Sequence, residues 1–287
     1  KMVHNGIEYG EMQLIAEIYY FIRFYTGSEP ETIARLFEKW NQEIKSYLLE
    51  ITVDILRKKE DNELLLDKIL DAAQQKGTGG WSTEAALELG VSLDTITAAV
   101  QARHISAQKE VRTRGVELYS FKKEKGQHSL EELSEEIFKA YKAGSIVNHA
   151  IGFDLLAAAS KNYEWELNLS EIARIWTAGC IIKSGFMEEI SASFKEIPGQ
   201  HILFHPKIVS QVNAFHTSLI EITCMALKHQ FAMPVLSAAT NYLLELTTKN
   251  SAANLIQAQR DYFGAHTFEC SDKPRGEFFH AEWEGPK

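Results

Sequence analysis

Apolar positions recur at helical spacing along almost the whole chain. From Ile7 to Tyr25 they fall three and four apart. Ile15, Ala16, Ile18, Tyr19, Ile22 and Phe24 read as the buried turns of one helix, which Thr26-Gly27 ends. Ser28-Glu29-Pro30-Glu31 reads as a capping box with proline in the first turn, opening a helix through Phe37 and Trp40. The same period continues from Ile44 to Leu56 until the charged run Arg57-Lys58-Lys59-Glu60-Asp61, and Leu64 to Ala73 is a short further run. Ser82 reads as the cap of a helix to Leu89 that Gly90 stops, and Ser92-Leu93-Asp94 opens a longer one through Ile96, Ala99, Val100, Ile105 and Val111. After a charged connection at 122–128, Ser129-Leu130-Glu131-Glu132 is a second capping box, heading a helix to about Ser160. Leu169-Ser170-Glu171 opens the next, with Ile172, Ile175, Trp176, Ile181 and Ile182 on its buried side. Pro198 and Pro206 bracket a break. Ile208 to Gln230, Pro234 to Leu246, and a run from Leu255 that Gly264 ends complete the set.

Strand signals are weak throughout, so the pattern predicts an all-α chain. We expect a large helical domain at 1–268, with helical halves at 1–120 and 129–250, followed by an extended tail at 269–287 that cannot form a core alone. With 287 residues the chain can bury a substantial core, and 45% hydrophobic and 24% charged residues are ordinary for a globular protein. A net charge of −9 argues against nucleic acid as the main partner and gives no membrane-surface footprint. No apolar run reaches the length of a membrane span. Cys180, Cys224 and Cys270 form no Cys-x-x-Cys pair, which fits a reducing cytoplasm. The first residues are Lys-Met, with no initiator at position 1, and read as the start of a piece cut from a longer protein.

Candidate chemistry begins at that start. On a helix, positions 1, 4, 5 and 8 share one stripe, which here carries Lys1, His4, Asn5 and Glu8: a potential base, a potential acid and two hydrogen-bonding groups. Such stripes are usually solvated surface, but this one leads a helix that heads for the core. A second place is Gln75-Lys76-Gly77-Thr78-Gly79-Gly80-Trp81, whose glycines allow backbone amides to approach an anion beside a lysine. By composition it is a connecting loop, without the GxxxxGK[ST] spacing of a P-loop. No GxGxxG follows a strand, and no HExxH or Cys/His cluster suggests a metal.

The run Lys-Met-Val-His-Asn-Gly-Ile-Glu-Tyr-Gly-Glu-Met-Gln closely resembles the signature that opens the helical domain of 6-phosphogluconate dehydrogenases. Further resemblances reach nearly to the C-terminus: Lys-Gly-Thr-Gly-x-Trp at Lys76, the Ala-Arg-x-x-Ser-like stretch at Arg103, Trp165 to Ile182, and Gln-Arg-Asp-x-Phe-Gly-x-His from Gln259. The chain departs from the family at Gly80, where lysine is usual, at His104-Ile105 in place of a Cys-Leu-like pair, and at His280-Ala281-Glu282-Trp283 in place of His-Thr-Asn-Trp.

The resemblance implies the C-terminal helical domain of that enzyme, normally preceded by a Rossmann domain that this chain lacks. It implies oxidation of 6-phosphogluconate at C3 by NADP, with NAD left open, and loss of C1 as carbon dioxide to give ribulose 5-phosphate. Lys1 is then the general base and Glu8 the general acid. His4, Asn5 and Tyr9 hold substrate or nicotinamide, with Asn5 on the cofactor side. Lys76, Thr78 and Arg103 bind on the phosphate side, a role suited to a guanidinium fork. Arg260 and His266 reach the substrate of the partner in a homodimer, whose tail threads through its neighbour. Rival functions are a non-catalytic helical dimerisation module and a related β-hydroxyacid dehydrogenase. Lys76, Arg103, Arg260 and His266 together look like a grip for a phosphorylated sugar acid, which disfavours the second.

Overall fold

The computed structural model describes residues 1–74 and 77–283. Among them the chain is all-α. In order the helices are α1 (Met2–Phe21), α2 (Pro30–Ile44), α3 (Tyr47–Arg57), α4 (Leu65–Lys68), α5 (Thr78–Leu89), α6 (Asp94–Ala107), α7 (Lys109–Leu118), α8 (Leu130–Asn162), α9 (Leu169–Trp176), α10 (Gly185–Glu196), α11 (Pro206–Lys228), α12 (Pro234–Leu246) and α13 (Ala253–Gly264). Extended pairing among the described residues comprises the two-residue strands Lys59–Glu60 and Glu63–Leu64, antiparallel with Lys59 opposite Leu64, and one bridge between Phe268 and Phe279. No helix among the described residues is long and apolar enough to cross a membrane. The chain forms two compact units, Lys1–Tyr242 and Leu243–Lys287.

In the first unit α1 packs against α5, α6 and α8, and α8 also packs against α11. Buried residues lie all round α1, from Val3, Ile7 and Leu14 to Ile18 and Phe21, so it is an interior helix rather than one with a single apolar stripe. Its approach to α8 is close. A Cβ at Gly10 would collide with the Asn148 amide, and one at Gly152 would lie 2.5 Å from the Ile7 side chain. Ala16 and Phe24, expected inside, are exposed.

Several boundaries differ from the sequence pattern. Ser28 does not cap α2: the N-cap is Glu29, without a side-chain bond, and the Ser28 hydroxyl pairs with that of Thr26. The Ile44–Leu56 run is broken at Lys45, which takes a left-handed conformation, and Ser46 caps α3 by accepting from the Leu49 N–H. The run from Leu64 keeps only the single turn α4. Thr78-Gly79-Gly80-Trp81 is the first turn of α5 rather than loop, so Ser82 lies inside the helix. The long helix through Val111 is interrupted at Gln108, and the helix from Leu169 stops at Trp176; Ile175, inside it, and Ile181, beyond it, are both exposed rather than buried. Cys180 is half-buried. By contrast both bonds of the Ser129–Glu132 capping box form, and Gly90 ends α5 with φ 65°.

In the second unit α13 ends at Gly264, with left-handed Ala265 after it. The tail then doubles back, Phe268 and Phe279 exchanging N–H···O bonds of 2.9 and 2.8 Å.

Candidate active site

The first turn of α1 brings the predicted stripe together. Lys1 is exposed at the N-cap, its carbonyl accepting from the Asn5 N–H at 3.1 Å. His4 is buried, with Nδ1 3.3 Å from Asn5 Oδ1 and 3.9 Å from Glu8 Oε2. Its ring meets Trp176, at the end of α9, edge to face with centroids 5.3 Å apart, and its Nε2 is buried without a partner. Burial lowers the His4 pKa, the Asn5 bond opposes this, and the positive charge of Lys1 adds to it. His4 is therefore held toward the neutral form. Glu8 is pushed up from the ordinary carboxylate value by burial, against the pull of Arg103 and Lys1. A carboxyl shifted upward and an imidazole shifted downward thus stand one turn apart on one face.

The second wall comes from α5. Thr78 opens this helix after Gly77, whose φ of 85° suits glycine. The Thr78 hydroxyl accepts from Asn5 Nδ2 at 3.0 Å, joining two predicted site residues across 73 positions. Ser82, to which the sequence pattern assigns only a cap, donates to the Met2 carbonyl at 3.1 Å and fixes α5 against the start of α1. At Gly79 a Cβ would come within 2.7 Å of the Tyr9 ring, so the small residue lets this turn lie on Tyr9.

The third wall is Arg103 on α6. Its guanidinium lies over the Tyr9 ring, 3.6 Å from the centroid, and donates to the Gln74 carbonyl at 3.2 Å and to Met12 Sδ at 3.5 Å. Burial lowers its pKa, which Tyr9 and Glu8 oppose. These acceptors are uncharged, and an anion is a far better partner for a guanidinium fork. Lys76 lies outside the described residues.

Beneath the site, a buried polar cluster ties α1 to α8. Asn148 Nδ2 donates to the Ile7 carbonyl and to Glu11 Oε1, both at 2.9 Å, and its Oδ1 accepts from Thr95 at 2.9 Å. Ser145 donates to Glu11 Oε2 at 3.0 Å. Sequence reasoning assigned these residues nothing. The available signal was the polar pair Asn148-His149 inside the apolar run from Ile146 to Ile151. A concavity of about 1320 Å³ bordered by α8, α9 and α10 contains none of the predicted site residues.

In the second unit Arg260 is exposed on α13 and donates to Gln257 Oε1 at 3.2 Å. His266 is exposed after the helix end, its ring edge-on to Phe263 at 5.9 Å.

A family model described as "6-phosphogluconate dehydrogenase, C-terminal domain" matches residues 1–283. Among curated relatives, "6-phosphogluconate dehydrogenase, decarboxylating" of Treponema pallidum (strain Nichols) is 42% identical over 294 residues, covering 99% of this chain and 60% of that protein. The protein of the same name from Escherichia coli (strain K12) is 42% identical over 286 residues, with 99% and 61% covered. The chain thus spans about 60% of the length of the curated relatives it matches. The solved structure of Plasmodium falciparum 6-phosphogluconate dehydrogenase superimposes with a TM-score of 0.95 at 38% identity, covering 99% of this chain and 62% of that one. That enzyme is described in its apo form, with its cofactor NADP+ and with its substrate 6-phosphogluconate.

Proposed function

We infer that this chain, which belongs to the 6-phosphogluconate dehydrogenase C-terminal domain family, supplies the acid–base and substrate-holding part of a decarboxylating 6-phosphogluconate dehydrogenase. The observation that carries this is the convergence of Glu8, with its raised pKa, the Asn5–Thr78 pair and Arg103 from three helices.

Bound NADP supplies the hydride acceptor. The residues present fit its reacting end: the half-buried Asn5 amide, set by Thr78 and His4, would hold a carboxamide. A glycine-rich strand-to-helix turn for the dinucleotide phosphates is absent among the described residues. Lys1 acts as the base that takes the C3 hydroxyl proton as the C3 hydride departs. The resulting ammonium donates to the new C3 carbonyl oxygen, drawing in electrons from the C1–C2 bond as C1 leaves as carbon dioxide. An enediol of C2 and C3 remains, and Glu8 delivers its proton to C2, which becomes C1 of the ketose. Arg103 and Lys76 bind the phosphate, with Thr78 beside them. His4, neutral and backed by Trp176, donates or accepts a single hydrogen bond to substrate, and Tyr9 supports Arg103 from below.

Arg260 and His266 complete the site of the other subunit in a homodimer. The exposed apolar residues Leu255, Ile256, Tyr262 and Phe263 of α13 support a second chain as their cover. The three free cysteines support a cytoplasmic location.

The test is reduction of NADP by the full-length enzyme. Lys1→Met should abolish hydride transfer, with 6-phosphogluconate binding retained by titration calorimetry. Near-normal turnover in that variant would remove Lys1 as the base.

A further inference from the structure

Asp261 is the sole buried residue of α13, at 0% exposure, on a helix whose neighbouring Tyr262 and Phe263 face outward. An interior carboxylate is costly unless its oxygens are satisfied, and here each takes two bonds. Oδ1 accepts from the Thr267 N–H at 2.9 Å and from His280 Nδ1 at 2.9 Å. Oδ2 accepts from the Ala281 N–H at 3.1 Å and from Trp283 Nε1 at 2.8 Å. Those donors come from the loop after α13 and from the tail, so one side chain fastens three segments of the second unit.

The same residues fix the candidate site groups on either side. Gln257 Nε2 donates to the Thr267 carbonyl at 2.6 Å while its Oε1 accepts from Arg260. Thr267 is therefore gripped at its N–H by Asp261 and at its carbonyl by Gln257. That grip holds His266 between two left-handed non-glycine residues, Ala265 at φ 48° and Thr267 at φ 62°, a conformation that persists only where surrounding contacts determine it.

We propose that Asp261 is a positioning residue, which ties the tail to the end of α13 and thereby holds Arg260 and His266 in the geometry they present to the phosphorylated substrate. The inference rests on the assignment of Arg260 and His266 to the site. All four partners of Asp261 are donors, so asparagine cannot replace it: its amide NH2 would face N–H groups. The clasp also accounts for a departure from the family pattern. Ala281 contributes only its backbone N–H, so its side chain is free to vary, whereas His280 and Trp283, which the chain retains, bond through their side chains.

The experiment uses the full-length enzyme and compares Asp261→Asn, Trp283→Phe and Arg260→Ala. Amide hydrogen exchange is followed by mass spectrometry over residues 265–283, alongside steady-state kinetics. Asp261→Asn should speed exchange in that segment by about tenfold or more and raise the KM for 6-phosphogluconate by about tenfold, the loss expected for charge-assisted bonds. The KM for NADP and, within about threefold, kcat should hold. Trp283→Phe, which removes one donor and keeps the ring, should shift both readouts in the same direction by less. Wild-type exchange in Asp261→Asn would overturn the clasp. Faster exchange with an unchanged KM would reduce Asp261 to a structural tie and overturn its positioning role. If Arg260→Ala alone leaves kcat/KM intact, the assignment of Arg260 to the site fails, and the exchange data still judge the clasp independently.

Discussion

At Glu8, burial and charge pull in opposite directions, and burial wins. The carboxyl is pushed up, with Arg103 and Lys1 limiting the rise. A general acid works only while protonated, so activity that depends on Glu8 should be lost as pH rises through its raised pKa. Glu8→Gln in the full-length enzyme should lower kcat by about 10²–10⁴ and remove that limb from the pH–kcat profile. A limb that persists in Glu8→Gln belongs to another group. Arg103 makes a second, separable prediction. Arg103→Ala should weaken 6-phosphogluconate binding by about ten- to a hundredfold, measured by calorimetry, and leave binding of gluconate, which lacks the phosphate, unchanged. It should also move the Glu8 limb to higher pH, since the charge that restrains the shift is gone. Equal losses for both ligands would contradict a phosphate contact.

At the scale of the element, α1, to which we assign the acid and the base, is an interior helix packed against α5, α6 and α8. Gly10 is where the hold is tightest: alanine there would displace the Asn148 amide, which is already committed to Ile7, Glu11 and Thr95. Unsatisfied buried groups cost about 1–3 kcal/mol each, so Gly10→Ala should destabilise the chain by a few kcal/mol in urea denaturation and lower kcat. Farther along, the buried Glu17 carboxylate accepts from the Val235 and Leu236 N–H groups at the start of α12, at 2.9 and 3.0 Å. Burial outweighs these bonds and raises its pKa to about 7, from 4.5. A raised folded-state pKa gives stability that is full below the unfolded value and fades as pH rises toward 7. Stability measured across that window should therefore fall in the parent and stay flatter in Glu17→Gln.

Helix existence was legible because the apolar period is strong, and so were ends marked by local chemistry, such as the Ser129–Glu132 box and Gly90. The break at Lys45 was not. It carries neither glycine nor proline, and depends on Asn41 accepting from the Ser46 N–H at 2.7 Å, a contact that exists only once the helix has turned. Likewise the stripe Lys1, His4, Asn5 and Glu8 could be read from helical spacing, and Thr78 and Arg103 from resemblance. Asn148, Ser82 and Trp176 support them from distant parts of the chain, where spacing carries no information.

At the scale of the whole molecule, the chain comprises two compact units. The first holds Lys1 and Glu8, and the second holds Arg260 and His266. Our central proposal is that the second unit serves the site of a partner, so that each site of the homodimer is built from two chains. Co-refolding full-length Lys1→Met with full-length Arg260→Ala, with mixed dimers verified by mass, tests this most directly. In such a dimer one site collects both defects and the other is made wholly of intact residues. We expect NADP-reducing activity well above that of either variant refolded alone. Mixed dimers no more active than their parents would contradict the shared site.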